Sequence, residues 1–313
     1  MEPRGIKLVS RYKSYYGIPT DVEISEEMVL HHWALEKKLT KELLDSTPES
    51  RWEVFEQAYT LLYSELEWLN KIPGDTRSAS EKYQTWVTTI GDKPKKIYEV
   101  GSGKGEMISY LAQCGFECKG TEITKERGSK HVNESLPNLV WASSDGINLV
   151  QFEPMDYYDL VVSNQVIEHF HPDDLQTHFQ NAFSILNKNG RYIFSTPHCH
   201  TGPQDVSFVF DYDDSKGMHL KEYTYSQLIE PLTLAGFKNI SCTIPFGINK
   251  FLQKSGIKDQ DRLTKVGALY FNFMLLVEKM LFLIPIKKIR RPFAKFLRKI
   301  YIFADNIFLV AHK

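Results

Sequence analysis

From Lys95 onward, short apolar runs alternate with stretches of helical periodicity, and the first run ends in a turn carrying three glycines. The runs at 96–100, 117–122, 138–142, 158–163 and 191–196 are short and bounded by turn residues, as strands buried on both faces are. Between and after them, apolar residues recur at helical spacing near 104–114, 124–134, 172–187 and 224–236. Gly115, Gly190 and Gly236 stand where helices would stop. This alternation predicts an α/β fold, a parallel sheet with helices on both faces. Two further strands are expected at 237–244 and 306–312, separated by a long insertion.

The glycine turn reads Glu99-Val-Gly101-Ser-Gly103-Lys-Gly105. A strand, a tight turn and a helix N-terminus in that order let backbone N–H groups approach a ligand closely. A dinucleotide fingerprint would need its third glycine at 106, where the chain has Glu106. The spacing acid-x-G-x-G-x-G instead resembles motif I of the class I S-adenosylmethionine (SAM)-dependent methyltransferases. That resemblance implies a Rossmann-like, seven-stranded methyltransferase sheet ending in an antiparallel pair. It also implies SAM as cofactor, with Gly101, Ser102, Gly103 and Gly105 under its methionine part.

Ligands of open α/β sheets sit beyond the carboxyl ends of the strands. Glu99 is therefore expected to receive the methionine ammonium, and Glu122, with Ile123 beside it, the ribose hydroxyls. By the same resemblance Asp145 and Gly146 would meet the adenine edge, and Asn164 and Gln165 would lie next to the sulfonium. A nicotinamide or nucleotide-sugar enzyme is disfavoured by the glycine spacing and by the absence of a Y-x-x-x-K pair, since Val161 and Val162 follow Tyr157 and Tyr158 at that interval.

Gln165-Val-Ile-Glu168-His169 resembles the E-x-x-E-H segment of ubiquinone-biosynthesis O-methyltransferases and small-RNA 3′-end methyltransferases, a group related to methyltransferase types 11 and 23. The resemblance implies a divalent site made by Glu168, His169 and the later His219. Gln165 replaces the first acid, which removes a charge and should lower affinity for Mg²⁺ or Mn²⁺. The bland alternative is that Glu168 and His169 only shape the acceptor pocket. A hydroxyl acceptor must lose a proton near the transition state, so a histidine or a metal is needed. His169, His198 (in a T-P-H segment where T-P-N is usual) and His219 are the candidate bases. His171 and His178 read as structural or exposed, and His31-His32 as part of a helix surface.

Composition adds one asymmetry. Within 251–304 there are eight Lys and four Arg against two Asp and one Glu, although the whole chain carries a net charge of −1. The apolar and basic side chains of 268–300 suit a helix at a membrane interface, and also a lid packed on the sheet or against a second subunit. Nucleic acid is disfavoured because the stretch is too apolar. No signal-peptide core is seen in the first thirty residues, and the run 268–286 is broken by Asn272, Glu278, Lys279 and Pro285. The four cysteines lack paired metal spacing and read as reduced thiols, so a cytoplasmic protein is expected, with peripheral contact at the inner face of a membrane as the extension.

Residues 1–20 read as irregular, and 25–44 and 50–70 as two helices. The expected division is an N-terminal helical cap (1–90), a SAM-binding sheet domain (91–249), the basic insertion (250–304) and the last strand (305–313). The activity expected is O-methylation of a small or lipid-linked acceptor. The alternatives are N- or C-methylation, metal-dependent RNA 2′-O-methylation, and a catalytically silent SAM-binding partner at a membrane.

Overall fold

The computed structural model describes residues 2–70, 77–91, 95–124, 136–243, 260–300 and 302–313. Within these, seven strands form one sheet: β1 (Lys96–Val100), β2 (Glu117–Glu122), β3 (Leu139–Ser143), β4 (Tyr158–Asn164), β5 (Leu186–Pro197), β6 (Lys238–Cys242) and β7 (Asn306–His312). Their order is β3-β2-β1-β4-β5-β7-β6. The first five are parallel, and β7 runs antiparallel between β5 and β6. β5 starts five residues earlier than its apolar run, because Leu186 pairs with Tyr158 before a register shift.

The helices are α1 (Gly5–Tyr16), α2 (Glu26–Asp45), α3 (Arg51–Glu65), α4 (Glu67–Asn70), α5 (Ala79–Ile90), α6 (Glu106–Gln113), α7 (Leu175–Ile185), α8 (Tyr225–Ala235), α9 (Gln260–Phe282) and α10 (Lys287–Lys299). The helix expected over 124–134 and the opening of the insertion at 250–259 fall outside the described residues.

Both faces of the sheet are buried, which is why its strands read as continuous apolar runs. Tyr98, Val161, Phe194 and Leu309 point into a core closed by α7, α8 and α9. Ile97, Leu160, Val162 and Ile193 point the other way, under α5 and α6. α5 has no counterpart in the sequence expectation. Its start is set by a capping box between Ser78 and Glu81, and its Trp86 and Ile90 are buried on the sheet.

The N-terminus departs from expectation as well. Residues 5–16 are helical, with Leu8 and Tyr12 fully buried against Val29, Trp33 and the 206–210 turn. Two apolar side chains four apart make a stripe too narrow to stand out among lysines and tyrosines. His32 is not a surface residue: it is buried, with one ring nitrogen 2.7 Å from the Tyr12 hydroxyl and the other 2.7 Å from Glu36 Oε1. The four cysteines are free thiols.

Candidate active site

The turn after β1 is built by backbone geometry. Gly101, Gly103 and Gly105 all have positive φ, and Gly105 caps α6 in the left-handed conformation. At Gly101 a Cβ would lie 2.7 Å from Val166, so the close approach of these segments requires glycine. At Gly103 a Cβ would meet nothing within 4 Å, because that face opens into a cavity.

That cavity, of about 520 Å³, lies beyond the carboxyl ends of β1, β2, β3 and β4. Along the sheet it is lined by Glu99, Gly101, Ser102, Gly103, Glu122, Ile123, Asp145, Gly146, Asn164 and Gln165. Of the expected cofactor residues, only Gly105 is not part of the wall; it acts one step back, at the α6 N-terminus.

Glu122 accepts the Gly103 N–H at 2.8 Å and the Ile123 N–H at 3.0 Å, which fixes its carboxylate at the cavity edge. Burial raises its pKa, opposed by those two N–H groups. Glu99 is 2% exposed and its Oε2 has no hydrogen-bond partner among the described residues. Burial, with the Glu122 charge adding to it, pushes its pKa up to about 8. A buried carboxylate with an unmet acceptor fits an incoming ammonium group. Asp145 also serves its own loop, accepting the Ile147 and Asn148 N–H groups.

Opposite the sheet the wall changes character. Tyr15 and Tyr16 from α1, Glu36 from α2, and Phe55, Tyr59, Leu62 and Tyr63 from α3 supply an aromatic face. Sequence reading missed these residues because nothing in a helix's periodicity says which element its apolar stripe will cover. The 204–219 loop completes the wall with Gln204, Asp205, Val206, Met218 and His219. Glu36 accepts the Met218 N–H at 3.1 Å, Thr40 donates to the Gly217 carbonyl at 2.5 Å, and Asp205 accepts the Gly217 N–H at 2.9 Å. The first two tie the cap to the loop that delivers His219, and the third closes that loop on itself.

Glu168, His169 and His219 converge, each offering a donor atom within 4.8 Å of the others. Glu168 is fully buried; one oxygen accepts from Thr196 at 2.9 Å and Oε1 has no hydrogen-bond partner among the described residues. Burial raises its pKa to about 7, opposed by His219. His169 Nδ1 lies 2.9 Å from the Met218 carbonyl, an acceptor only, so Nδ1 carries the proton and Nε2 is the basic nitrogen. His219 Nδ1 lies 3.0 Å from Glu222 Oε1. Burial lowers the His219 pKa, but the bond to Glu222 and the Glu168, Glu222 and Asp205 charges outweigh it and hold it at about 9. The His219-x-x-Glu222 spacing was the available sequence signal for that partner.

The unmet Glu168 oxygen beside two imidazoles fits a divalent ion. One carboxylate with two nitrogens suits Mn²⁺ or another transition metal better than Mg²⁺. His198, expected as a candidate base, does not line the cavity. It is fully buried, its Nε2 is 2.7 Å from Glu278 Oε1, and its Nδ1 accepts the His200 N–H at 3.1 Å. Its ring is occupied on both sides by structural bonds. His178 is likewise buried, between the Gly146 carbonyl and the Tyr192 hydroxyl.

A family model described as a methyltransferase domain matches residues 76–242, more than half of the chain. The chain belongs to this methyltransferase family. It is a class I, SAM-dependent methyltransferase, and SAM is its cofactor. No curated protein sequence matches it. Among solved structures, the Burkholderia thailandensis 1,6-didemethyltoxoflavin-N1-methyltransferase, bound to 1,6-didemethyltoxoflavin and S-adenosylhomocysteine, is similar over 86% of this chain and 91% of its own. The identity there is 12% and the TM-score 0.51, a likeness of fold. A SAM-dependent methyltransferase from Archaeoglobus fulgidus matches over 82% of this chain and 99% of its own, with 15% identity and a TM-score of 0.48. In this methyltransferase the glycine turn and the four strand ends thus face one cavity, and the cap helices supply its other wall.

Proposed function

We propose that this methyltransferase transfers the SAM methyl group to a hydroxyl oxygen of a small or lipid-linked acceptor, with His169 as general base. Residues 91–249 and the last strand would hold SAM, while 1–90 and the 204–219 loop would enclose the acceptor. The observation that carries the reading is the 2.9 Å contact between His169 Nδ1 and the Met218 carbonyl, which commits that nitrogen as a donor while the ring edges the cavity. The cofactor supplies the electrophilic methyl group. Gln165 and Asn164 border the place where methyl and acceptor meet, and the tyrosine-rich wall favours an acceptor with an aromatic or otherwise apolar body. His169 Nε2 would take the hydroxyl proton as the methyl group passes from sulfur to oxygen, the S–CH3 bond breaking and the neutral thioether leaving, and the His219 cation, paired with Glu222, would steady the charge on the attacking oxygen.

A second reading has its own support in the unmet Glu168 oxygen. In it, Glu168, His169 and His219 would hold a divalent transition metal, which would polarise the acceptor oxygen.

Methyl transfer from labelled SAM to a panel of phenols, catechols, polyprenyl phenols and amines tests both. Turnover of hydroxyl acceptors should fall about 10²–10³-fold in His169→Gln with SAM affinity unchanged. Turnover of amines alone would overturn O-methylation. Loss of wild-type activity on chelation, restored by Mn²⁺, would transfer the assignment to the metal reading. Absence of turnover on every acceptor, with SAM still bound, would leave a silent SAM-binding protein.

A further inference from the structure

Among the described residues, nineteen large hydrophobic side chains are exposed, and eleven of them fall in 269–300. They are not scattered. On α9, Leu269, Phe273, Leu276 and Met280 follow one another at intervals of four, three and four, and Leu283 continues the stripe past the helix end. Ile286, Ile289, Phe293, Phe296 and Ile300 repeat the pattern along α10. At about 100° per residue each set occupies one solvent-facing side of its helix. The opposite side of α9 is committed to the core, where Phe271, Met274, Val277 and Leu281 are buried against β6 and α8. α9 is therefore apolar on two sides, of which the described residues cover one.

We propose that this second face docks the protein on an anionic lipid surface, the exposed stripes entering the acyl boundary and the flanking cations meeting headgroups. Charge decides the occupant. Residues 260–300 hold ten Lys or Arg against two Asp or Glu. A second copy of the chain meeting this face across a two-fold axis would set the same cations against one another. An anionic bilayer offers an apolar interior and a negative surface together. Lys279, Lys288 and Lys299 are exposed and form no ion pair among the described residues, so they remain for headgroups. Three other cations of α10 fasten it to the protein: Lys287 bridges Asp214 at 2.7 Å, Arg291 donates to the Tyr212 and Asp213 carbonyls, and Lys295 lies over the Phe208 ring. That 205–214 stretch leads directly to Met218 and His219 in the cavity wall. The docking face and the acceptor side are thus parts of one connected structure. No helix among the described residues is long and apolar enough to cross a membrane, so the contact is interfacial.

Flotation of the full chain with vesicles tests the inference independently of catalysis. Vesicles of phosphatidylcholine with phosphatidylglycerol should float the protein, and phosphatidylcholine alone should not. Lys279→Glu/Lys288→Glu/Lys299→Glu should lower partitioning about a hundredfold or more, and high salt should act in the same direction. Phe273→Ser/Phe296→Ser should abolish flotation while leaving S-adenosylhomocysteine binding and the circular dichroism spectrum unchanged, since both side chains are exposed. Failure of the wild type to float with anionic vesicles would overturn the proposal. So would a stable dimer in sedimentation velocity that the Phe→Ser pair dissolves, because the face would then belong to a second copy.

Discussion

Glu99 is the side chain whose ionisation the cofactor should control. Burial holds its pKa at about 8, above the ordinary value of 4.5, so without ligand at neutral pH the carboxyl is protonated. A raised folded pKa means that the group favours the folded state at low pH, and that this contribution is lost as pH climbs toward 8. An ammonium placed beside Glu99 Oε2 reverses the preference and drives the proton off. Binding of S-adenosylhomocysteine at pH 7 should release close to one proton, read by calorimetry as a dependence on buffer ionisation enthalpy. Affinity should rise with pH up to about 8. Glu99→Gln should remove the proton release and weaken binding about ten- to hundredfold. A wild type that binds with no proton exchange would show that the ammonium goes elsewhere. The residue-scale features of the sheet side were legible because each lies at a strand end in the right order. His198 is ambiguous at this scale, since T-P-H looks the same whether its imidazole faces a cavity or, as here, a buried glutamate.

At the scale of elements, a buried carboxylate fastens α9 to the rest of the fold. Glu278 Oε1 accepts the Tyr225 N–H at 2.5 Å and its Oε2 accepts the Ser226 N–H at 3.0 Å, so the carboxylate closes the N-terminus of α8. Burial would raise its pKa, but the His198 hydrogen bond and these N–H groups hold it below the ordinary carboxylate range. In the sequence Glu278 only interrupts an apolar run; in the structure it is the buried clasp between the insertion and the sheet. Glu278→Ala leaves His198 Nε2–H and two helix-start N–H groups without acceptors, and should cost about 3–5 kcal/mol in urea unfolding. S-adenosylhomocysteine affinity should persist, because no described residue of α9 lines the cavity. A cost below about 1 kcal/mol would mean that water replaces the clasp without loss. The elements that escaped the sequence reading, α1 and α5, share a cause. Each buries only two side chains, Leu8 and Tyr12 or Trp86 and Ile90, and a stripe that short is not periodic enough to detect.

For the molecule as a whole, the cavity is walled on one side by the sheet and on the other by the cap, so its ligand should stabilise both together. At a hundredfold excess over Kd, S-adenosylhomocysteine should add about 2.7 kcal/mol to stability. Far-ultraviolet circular dichroism and tryptophan fluorescence, which samples Trp33, Trp52 and Trp68 in the cap and Trp86 and Trp141 at the sheet, should then report one shifted transition. A cap transition that stays put when ligand is added would show that the cap takes no part in binding.

By itself the sequence determined the alternating sheet, the glycine turn and the acids at 99 and 122, because these depend on period, chirality and local backbone geometry. It also carried the mixed character of 268–300. Only the tertiary structure decided which residues oppose the cofactor side: the tyrosines of α1 and α3, the Glu36–Met218 and Glu222–His219 contacts, and the split of α9 into one buried and one exposed face. Those pairings join residues up to 182 positions apart in the chain. A local pattern says that a side chain will be buried or paired, but its partner is chosen by the packing of distant elements.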